Sequence, residues 1–445
     1  MGFFNKLYDY ACISPNVVAI EDDEQKITYG QLFNLICNNR KHLMENGICK
    51  CVIAYEVTKQ VDFILDILSL FAAECWVIPI PSDVKFNVSS IDHKIKRINN
   101  NSFIRDKRIN TDVFEINENL SGIYHMTSGS TGAIKLCKRS LASLVAEGEA
   151  YKELLSLNNK RIFSIAPVYH SFALGAAAFA SLVAASSLRI IDQFIPRKAV
   201  SIIANWKANI VIGVPVMINA IALVSISQIY HFSCLSLILS GTGNVTKDMC
   251  ELIKKRFGVG VSVNYGSTET GGLISRLEDE PYESIGKEMS GVKIKIVKKD
   301  GSLAKEDEPG EAYVKCPYMM TEYIDDDTAF CDGYFPMGDI MKKDINGYYY
   351  VVGRIKNIIN IGGKKVNPMV VQKTILSYPS VMDCIVKKGI RKSGHEYIHA
   401  LVVGNELDQD SIREYLSVHL NQYQMPSVIE FVSKIERNAV GKHIE

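Results

Sequence analysis

Tyr124-His125-Met126-Thr127-Ser128-Gly129-Ser130-Thr131-Gly132-Ala133-Ile134-Lys135 is the stretch on which the reading of this chain turns. From Thr127 to Gly132 hydroxyl side chains are interleaved with glycines, and Lys135 follows shortly after. Glycine lets the backbone approach an oxyanion and take turns with positive φ. Successive N–H groups can then converge on phosphate oxygens, with hydroxyls and a lysine adding donors and charge. The pattern is not the phosphate loop of NTPases, G-x-x-x-x-G-K-[ST], in which lysine directly follows the second glycine. Taken alone, such a run suits a flexible linker as well as a polyphosphate cradle.

Outward from this loop, short apolar runs alternate with segments of helical length. Val52–Tyr55, Trp76–Pro79, Ile162–Ala166, Leu188–Ile191, Ile210–Val214 and Leu235–Leu239 read as short buried strands. Gln31–Asn46, Val61–Ala73 and Lys247–Phe257 read as helices between them. The alternation predicts α/β layers with largely parallel sheets. From about Gly291 the texture changes. Val292–Val297 alternates with period two before the turn Lys299-Asp300-Gly301, and Ala312–Lys315 and Tyr348–Val352 continue in the same style. Antiparallel hairpins forming a small β-barrel-like subdomain are expected there. After Gly353 comes a further unit with strand signals at Asp383–Lys387 and Ala400–Val403 and a helix signal at Ser411–His419, a compact α+β domain. The expected division is therefore 1–353 and 354–445.

Composition sets the limits. A chain of 445 residues exceeds one ordinary hydrophobic core, so two or three domains are expected. Fifty basic residues against 49 acidic ones give a net charge of +1, no global case for binding nucleic acid or a membrane surface. The eleven cysteines are scattered, with Cys49 and Cys51 the closest pair and no C-x-x-C, which favours reduced thiols in a cytoplasmic protein over disulfides or zinc. No H-E-x-x-H cluster occurs, and no structural metal is expected. The N-terminus lacks a signal pattern. Phe172–Leu188 carries no charge over its 17 residues but is rich in alanine, glycine and serine. It reads as a buried helix rather than a membrane span.

Further segments stand in order behind the opening loop. They are Ala166-Pro167-Val168-Tyr169-His170-Ser171-Phe172, Ser240-Gly241-Thr242-Gly243, and Asn264-Tyr265-Gly266-Ser267-Thr268-Glu269-Thr270. Then come Gly338-Asp339, Gly353-Arg354-Ile355-Lys356, Gly362-Gly363-Lys364-Lys365-Val366-Asn367-Pro368 and Arg437-Asn438-Ala439-Val440-Gly441-Lys442. The second and third each follow a predicted buried strand, where open α/β sheets bind ligands. Tyr265 offers a flat face to a base, and Glu269 a hard carboxylate to Mg²⁺. Asp339 has two acceptor oxygens for a vicinal diol. In this order, and from Ile27-Thr28-Tyr29-Gly30-Gln31-Leu32 to Gly441-Lys442, the chain resembles the adenylate-forming superfamily. That group contains acyl- and aryl-CoA synthetases, adenylation domains of peptide synthetases, and luciferases.

The resemblance implies a large N-terminal domain of stacked α/β sheets with a β-barrel-like subdomain, and a small mobile α+β C-terminal domain. It implies an AMP-forming acid–thiol ligase using ATP, Mg²⁺ and the thiol of CoA. Thr127, Ser128, Gly129, Ser130, Thr131, Gly132 and Lys135 would hold the β- and γ-phosphates. Ile134 stands where proline is common and Leu136 where glycine is; neither change removes a phosphate donor. Gly243, Asn264, Tyr265 and Gly266 would meet the nucleotide, Thr268 its α-phosphate, Glu269 the Mg²⁺, Asp339 the ribose, and Arg354 would be a second nucleotide contact. His170 and Gly243 would border the acid, the histidine favouring a fatty or aromatic acid over an amino acid. Lys356 would be the hinge, and Gly362 and Gly363 would line the pantetheine tunnel. Lys442 would be the catalytic lysine of adenylation, in a closing motif where Glu436 replaces proline and Asn438 replaces threonine. The acidic residue usual after Pro368 is missing. Two alternatives stay open: loading of a separate acyl carrier protein through its phosphopantetheine, and a non-catalytic nucleotide-binding relative. A luciferase-like oxygenase has no support in the residues.

Overall fold

The computed structural model describes residues 2–82, 95–105, 113–128, 134–225, 228–241, 243, 245–324, 330–391 and 394–435. The chain divides into two compact units, Met1–Lys293 with Lys315–Ala329, and Ile294–Val314 with Phe330–Glu445. This grouping is by contact. The division after Gly353 is a proposal about movement and is taken up below.

The first unit holds two sheets. One has nine strands in the order Lys287–Glu288, Gly271–Arg276, Val261–Ser267, Leu237–Ser240, Ile210–Gly213, Arg161–Ser164, Ser187–Ile190, Val18–Glu21 and Lys26–Thr28. Its central neighbours run parallel and its two ends are closed by antiparallel pairs. The other has six strands, ordered Glu322–Ile324, Ile134–Ser140, Gly122–Ser128, Trp76–Pro81, Val52–Val57 and Lys96–Ile98. Val52–Val57 and Trp76–Pro81 are apolar along most of their length and almost wholly buried, as parallel strands covered on both faces must be.

Local chemistry explains the helix boundaries. Thr28 and Gln31 form a capping box that starts the helix Tyr29–Glu45. Pro196 and Pro215 open the helices Pro196–Asn205 and Pro215–Leu223, where a missing N–H costs nothing. Against the nine-stranded sheet, Ile202, Ile203, Ile218, Ile221, Ile253 and Phe257 from three helices bury a continuous apolar core.

Two sequence expectations need adjustment. The helix expected across Phe172–Leu188 runs only from Ser171 to Val183, and its middle, Leu174–Phe179, is π-wound. Ser187 already begins a strand. The end is fixed by buried polar ties: Tyr29 Oη donates to the Ser186 carbonyl at 2.8 Å and Ser186 Oγ to the Leu157 carbonyl at 2.5 Å. Asn264–Ser267 does not follow a strand but forms the end of Val261–Ser267, because an antiparallel partner, Gly271–Arg276, extends the pairing. Among the described residues no helix is long and apolar enough to cross a membrane.

In the second unit the β-barrel-like subdomain takes the form of a four-stranded sheet ordered Lys293–Val297, Gly310–Lys315, Phe335–Lys343 and Tyr349–Arg354. A three-stranded sheet follows, in which Val381–Ile390 and Glu396–Gly404 pair antiparallel and Val428–Phe431 adds a parallel edge. The helices Pro368–Leu376 and Gln409–His419 cover it, burying Val371, Ile375, Ile412 and Leu416 with Ile398, Ala400 and Val402.

Candidate active site

The opening loop is bracketed by the strands Gly122–Ser128 and Ile134–Ser140, which pair antiparallel with Thr127 opposite Lys135. The register brings the two ends of the loop together; Gly129, Ser130, Thr131 and Gly132 lie outside the described residues. Thr127 and Lys135 are both half-buried.

Across the unit, Thr268, Glu269 and Thr270 join the paired strands Val261–Ser267 and Gly271–Arg276. Several contacts hold this turn. Thr270 Oγ1 accepts from the Ser267 N–H at 3.1 Å, and the Glu269 carbonyl accepts from the Met320 N–H at 2.6 Å. The thiols of Cys137 and Cys316 donate to the carbonyls of Thr268 and Thr270, each at 3.5 Å. Burial pushes the Cys137 thiol well above its ordinary range and that of Cys316 up to about 12. They therefore stay protonated, as weak donors rather than nucleophiles. The Glu269 side chain meets Tyr323, whose hydroxyl donates to Oε1 at 2.5 Å. Lys135 Nζ lies 5.2 Å from the centroid of the same Tyr323 ring.

Asn264 is directed into the core. Its Oδ1 accepts from Tyr151 Oη at 2.9 Å and its Nδ2 donates to the Ile274 carbonyl at 3.3 Å. Tyr265, next along the strand, is half-buried, while Gly266 is exposed. A β-bulge separates the two, a common device for re-aiming a side chain beside a site. Gly243 is exposed beyond the end of Leu237–Ser240.

A buried ion pair connects three of these segments. Arg139 and Glu147 are fully buried and meet at 2.6 Å, Nη2 to Oε2. Arg139 lies on the strand that begins with the loop's exit and also donates from Nη1 to Ser171 Oγ at 3.3 Å, beside His170. Glu147 Oε1 accepts from the Gly272 N–H at 3.0 Å, on the strand leaving the Glu269 turn. Two glycines make room for the carboxylate. A Cβ on Gly175 would lie 2.3 Å from Glu147 Cδ, and one on Gly271, whose φ is +68°, would lie 2.6 Å from Oε1. Gly175 sits in the π-wound turn, a widened geometry frequent at functional sites. Burial works against the Arg139 charge, but Glu147 beside it holds the guanidinium above its usual range. His125 is buried nearby. Burial, then the charges of Arg139 and His170, depress its pKa well below the usual histidine value, so it is neutral at physiological pH. His170 itself packs against the Tyr169 ring at 4.6 Å and is half-buried.

In the second unit, Asp339 and Arg354 are register partners on adjacent strands, with Arg354 Nε 3.1 Å from Asp339 Oδ1. Asp339 is buried and Arg354 exposed. Lys356 is exposed in the single 3₁₀ turn Ile355–Asn357. Gly362 and Gly363, with φ of +56° and +87°, form the two-residue turn between Ile359–Ile361 and Lys364–Val366. Positive φ at both central residues is the type I′ requirement that glycine meets without strain. Lys442 lies outside the described residues.

The sequence reading missed Arg139, Glu147, Tyr323 and His125. Glu147 had a signal: with Leu144 and Tyr151 it falls on one face of the helix Leu141–Leu155, a carboxylate on an apolar stripe. Tyr323 had none, because its partners Glu269 and Lys135 are distant in sequence, and Arg139 had none because nothing in its strand sets it apart from Lys138.

The AMP-binding enzyme family matches residues 111–324 of this chain. A 2-succinylbenzoate–CoA ligase from Bacillus licheniformis is 29% identical over 326 residues, covering 71% of this chain and 67% of the relative. A feruloyl-CoA synthase from Amycolatopsis is 27% identical over 334 residues, with 71% and 67% covered. The fold matches ATP-bound MatB from Rhodopseudomonas palustris with a TM-score of 0.87 at 21% identity, over 99% of this chain and 96% of that one. It matches o-succinylbenzoate CoA synthetase from Bacillus subtilis, in complex with its acyl-adenylate intermediate, with a TM-score of 0.84 at 20% identity over 99% and 96%. The ordered motifs, the family match over residues 111–324 and the relatives named for CoA ligation together place the chain with the adenylate-forming superfamily of AMP-dependent ligases, whose fold the two solved structures share.

Proposed function

We propose that the protein activates a carboxylic acid with ATP to an acyl-adenylate and pyrophosphate, then transfers the acyl group to the thiol of CoA. The observation that carries the assignment of the site is the Arg139–Glu147 pair. It ties the exit of the phosphate loop, the His170-Ser171 segment and the strand leaving Thr268-Glu269 into one buried network. The likeness to enzymes named as CoA ligases supports CoA as acceptor. A cytoplasmic location fits the scattered thiols, and a carrier-protein thiol is a result that the test below would reveal.

A carboxylate resists attack by a thiol because resonance and charge both oppose it. In the first step a carboxylate oxygen attacks the α-phosphorus of ATP and the bond to pyrophosphate breaks. In the second the thiol sulfur bonds to the acyl carbon, AMP leaves with the electron pair, and the thiol proton is lost. Little covalent work falls to the protein, whose task is positioning and the stabilisation of spreading negative charge. Thr127, Ser128, Gly129, Ser130, Thr131, Gly132 and Lys135 are assigned to the departing phosphates, Thr268 to the α-phosphate, Tyr265 and Gly266 to the base, and Gly243 to the nucleotide and the acid. The Asn264 side chain fixes the strand from within. Asp339 and Arg354 are assigned to the ribose end, and Lys442 to the charge between carboxylate and α-phosphate.

Glu269 suits Mg²⁺. Its carboxylate is a hard donor, and among the described residues no group of three or more His, Cys, Asp or Glu could hold a metal alone. A cation drawing its other ligands from phosphate and water is how Mg²⁺ is usually held, and its charge would offset that of the phosphates. Residues 354–445 are proposed to turn about Lys356 between steps, withdrawing Lys442 and presenting Gly362 and Gly363.

Because His170 favours a fatty or aromatic acid, and two relatives are named for aryl acids, those are the acids to screen first. Pyrophosphate release should require an acid, and continuous turnover should require CoA. Release without any acid response across the screen would overturn the reading, and turnover restored by a carrier protein but not by CoA would reassign the acceptor. Lys442→Ala should abolish adenylation yet retain thiolation of a supplied acyl-adenylate. Equal loss of both half-reactions would refute the division between them.

A further inference from the structure

Tyr323 lies on a short edge strand, Glu322–Ile324, where a tyrosine would ordinarily be surface decoration. Here both ends of the side chain are engaged by the ATP site. The hydroxyl donates to Glu269 Oε1, and the ring lies beside the Lys135 ammonium. The register explains how one residue reaches both. Tyr323 pairs with Cys137, two residues beyond Lys135 on the neighbouring strand. Residues two apart share a face, and a diagonal neighbour is within reach of an aromatic ring. Met320, three residues earlier on the same segment, donates its N–H to the Glu269 carbonyl. Residues 320–323 thus grip Glu269 by backbone and side chain together.

We infer that Tyr323 is a positioning residue that sets the Glu269 carboxylate for its metal and the Lys135 ammonium for phosphate. This rests on the proposed roles of those two residues in handling Mg·ATP. A phenol donating to Oε1 fixes the carboxylate rotamer while directing Oε2 elsewhere. The π face meanwhile attracts the ammonium without consuming a carboxylate oxygen. One side chain therefore contacts an anion through its hydroxyl and a cation through its ring at the same time. Tyr323 touches no reacting atom in this scheme.

Tyr323→Phe separates the two functions, because it keeps the ring and removes the hydroxyl. It should raise the Mg²⁺ concentration needed for half-maximal ATP binding by ~10-fold, in line with the loss of a hydrogen bond to a charged group. Isothermal titration calorimetry of ATP at a series of Mg²⁺ concentrations reads this directly, without turnover. Thiolation of a supplied acyl-adenylate should be unchanged, a result that a merely structural role would not give. Tyr323→Leu, which also removes the ring, should further weaken ATP binding at saturating Mg²⁺. Glu269→Gln is the control. If it shifts the Mg²⁺ dependence and Tyr323→Phe does not, the positioning role is wrong. If Glu269→Gln leaves the dependence unchanged, the assignment of Glu269 falls first and the inference falls with it.

Discussion

Lys138 and Arg139 are neighbours on the strand Ile134–Ser140, so their side chains leave opposite faces of the sheet. Each makes an ion pair, Lys138 with Glu322 at 2.7 Å and Arg139 with Glu147 at 2.6 Å. Distance does not distinguish them. Solvent does: the exposed pair keeps 26% and 56% of its side-chain surface open, and the buried pair keeps none. An exposed pair exchanges one set of water contacts for a screened attraction and gains little. A buried pair has already lost its hydration, so each charge depends on the other and on every hydrogen bond around them. The exposed pair decorates the edge of the six-stranded sheet, whereas the buried one holds three site segments in register.

Breaking the buried pair on one side should have the largest effect. Glu147→Gln strands the Arg139 charge, and removal of one partner of a buried pair costs about 3–5 kcal/mol. Urea unfolding followed by intrinsic fluorescence should show the midpoint fall accordingly. The double variant Arg139→Met with Glu147→Leu removes both charges and should recover much of that stability, as apolar replacements of buried pairs often do. Adenylation should stay impaired in the double variant, because Ser171 and Gly272 lose their partners with the pair. Full recovery of pyrophosphate release would show that the pair serves stability alone.

Arg139→Lys is a gentler break. The charge survives, but a lysine has no planar fork with which to serve Glu147 and Ser171 at once. A loss of about 1–2 kcal/mol is expected, roughly the worth of one hydrogen bond made by a charged group. Its signature should be a fall in kcat for pyrophosphate release. An unchanged kcat would mean that the Ser171 contact does not position the His170 segment.

How much of this was legible beforehand depends on whether the signal was local. The helix Lys247–Phe257 was read to the residue because Thr246 caps one end and Gly258, at φ +77°, closes the other. The motifs proposed for the ATP site stand out for the same reason: each is a short run whose glycines and hydroxyls announce a backbone role. The pair that ties them together was not. In Leu136-Cys137-Lys138-Arg139-Ser140 the two charges look alike, and alternation says only that they face opposite ways. Which face is buried is decided by Glu147, eight residues on in the next helix, and by Ser171 and Gly272, far along the chain. Phe172–Leu188 was legible as buried but not as ending at Val183. The widening at Leu174–Phe179 belongs to the Glu147 contact, and the stop belongs to ties from Tyr29 and Leu157.

A pH measurement sharpens the comparison from the side of His125. Its folded pKa is depressed by burial and by the nearby charges of Arg139 and His170. Below the unfolded histidine pKa of about 6.5 the unfolded chain binds a proton that the folded chain refuses, so stability is lost as pH falls. The slope should approach ~1.4 kcal/mol per pH unit below that point. His125→Phe, a ring without a titrating nitrogen, should flatten the wild-type decline between about pH 6.5 and pH 5.5. Parallel profiles for the two proteins would mean that the folded chain does not hold the His125 pKa below its unfolded value.

The smallest effect is expected at the exposed pair, and it is the one that tests the principle of the comparison. Glu322→Gln keeps the shape of the edge strand and of its neighbour Tyr323 while removing one charge, and should cost about 0.2–1 kcal/mol. The difference should vanish at about 1 M salt, where the screening length falls to ~3 Å. The Glu147→Gln penalty should persist at the same salt, because ions cannot enter the buried site to replace the missing carboxylate. If both penalties shrank together, Arg139 would have to be reached by solvent, and the network beneath the site would be no more than a second surface pair.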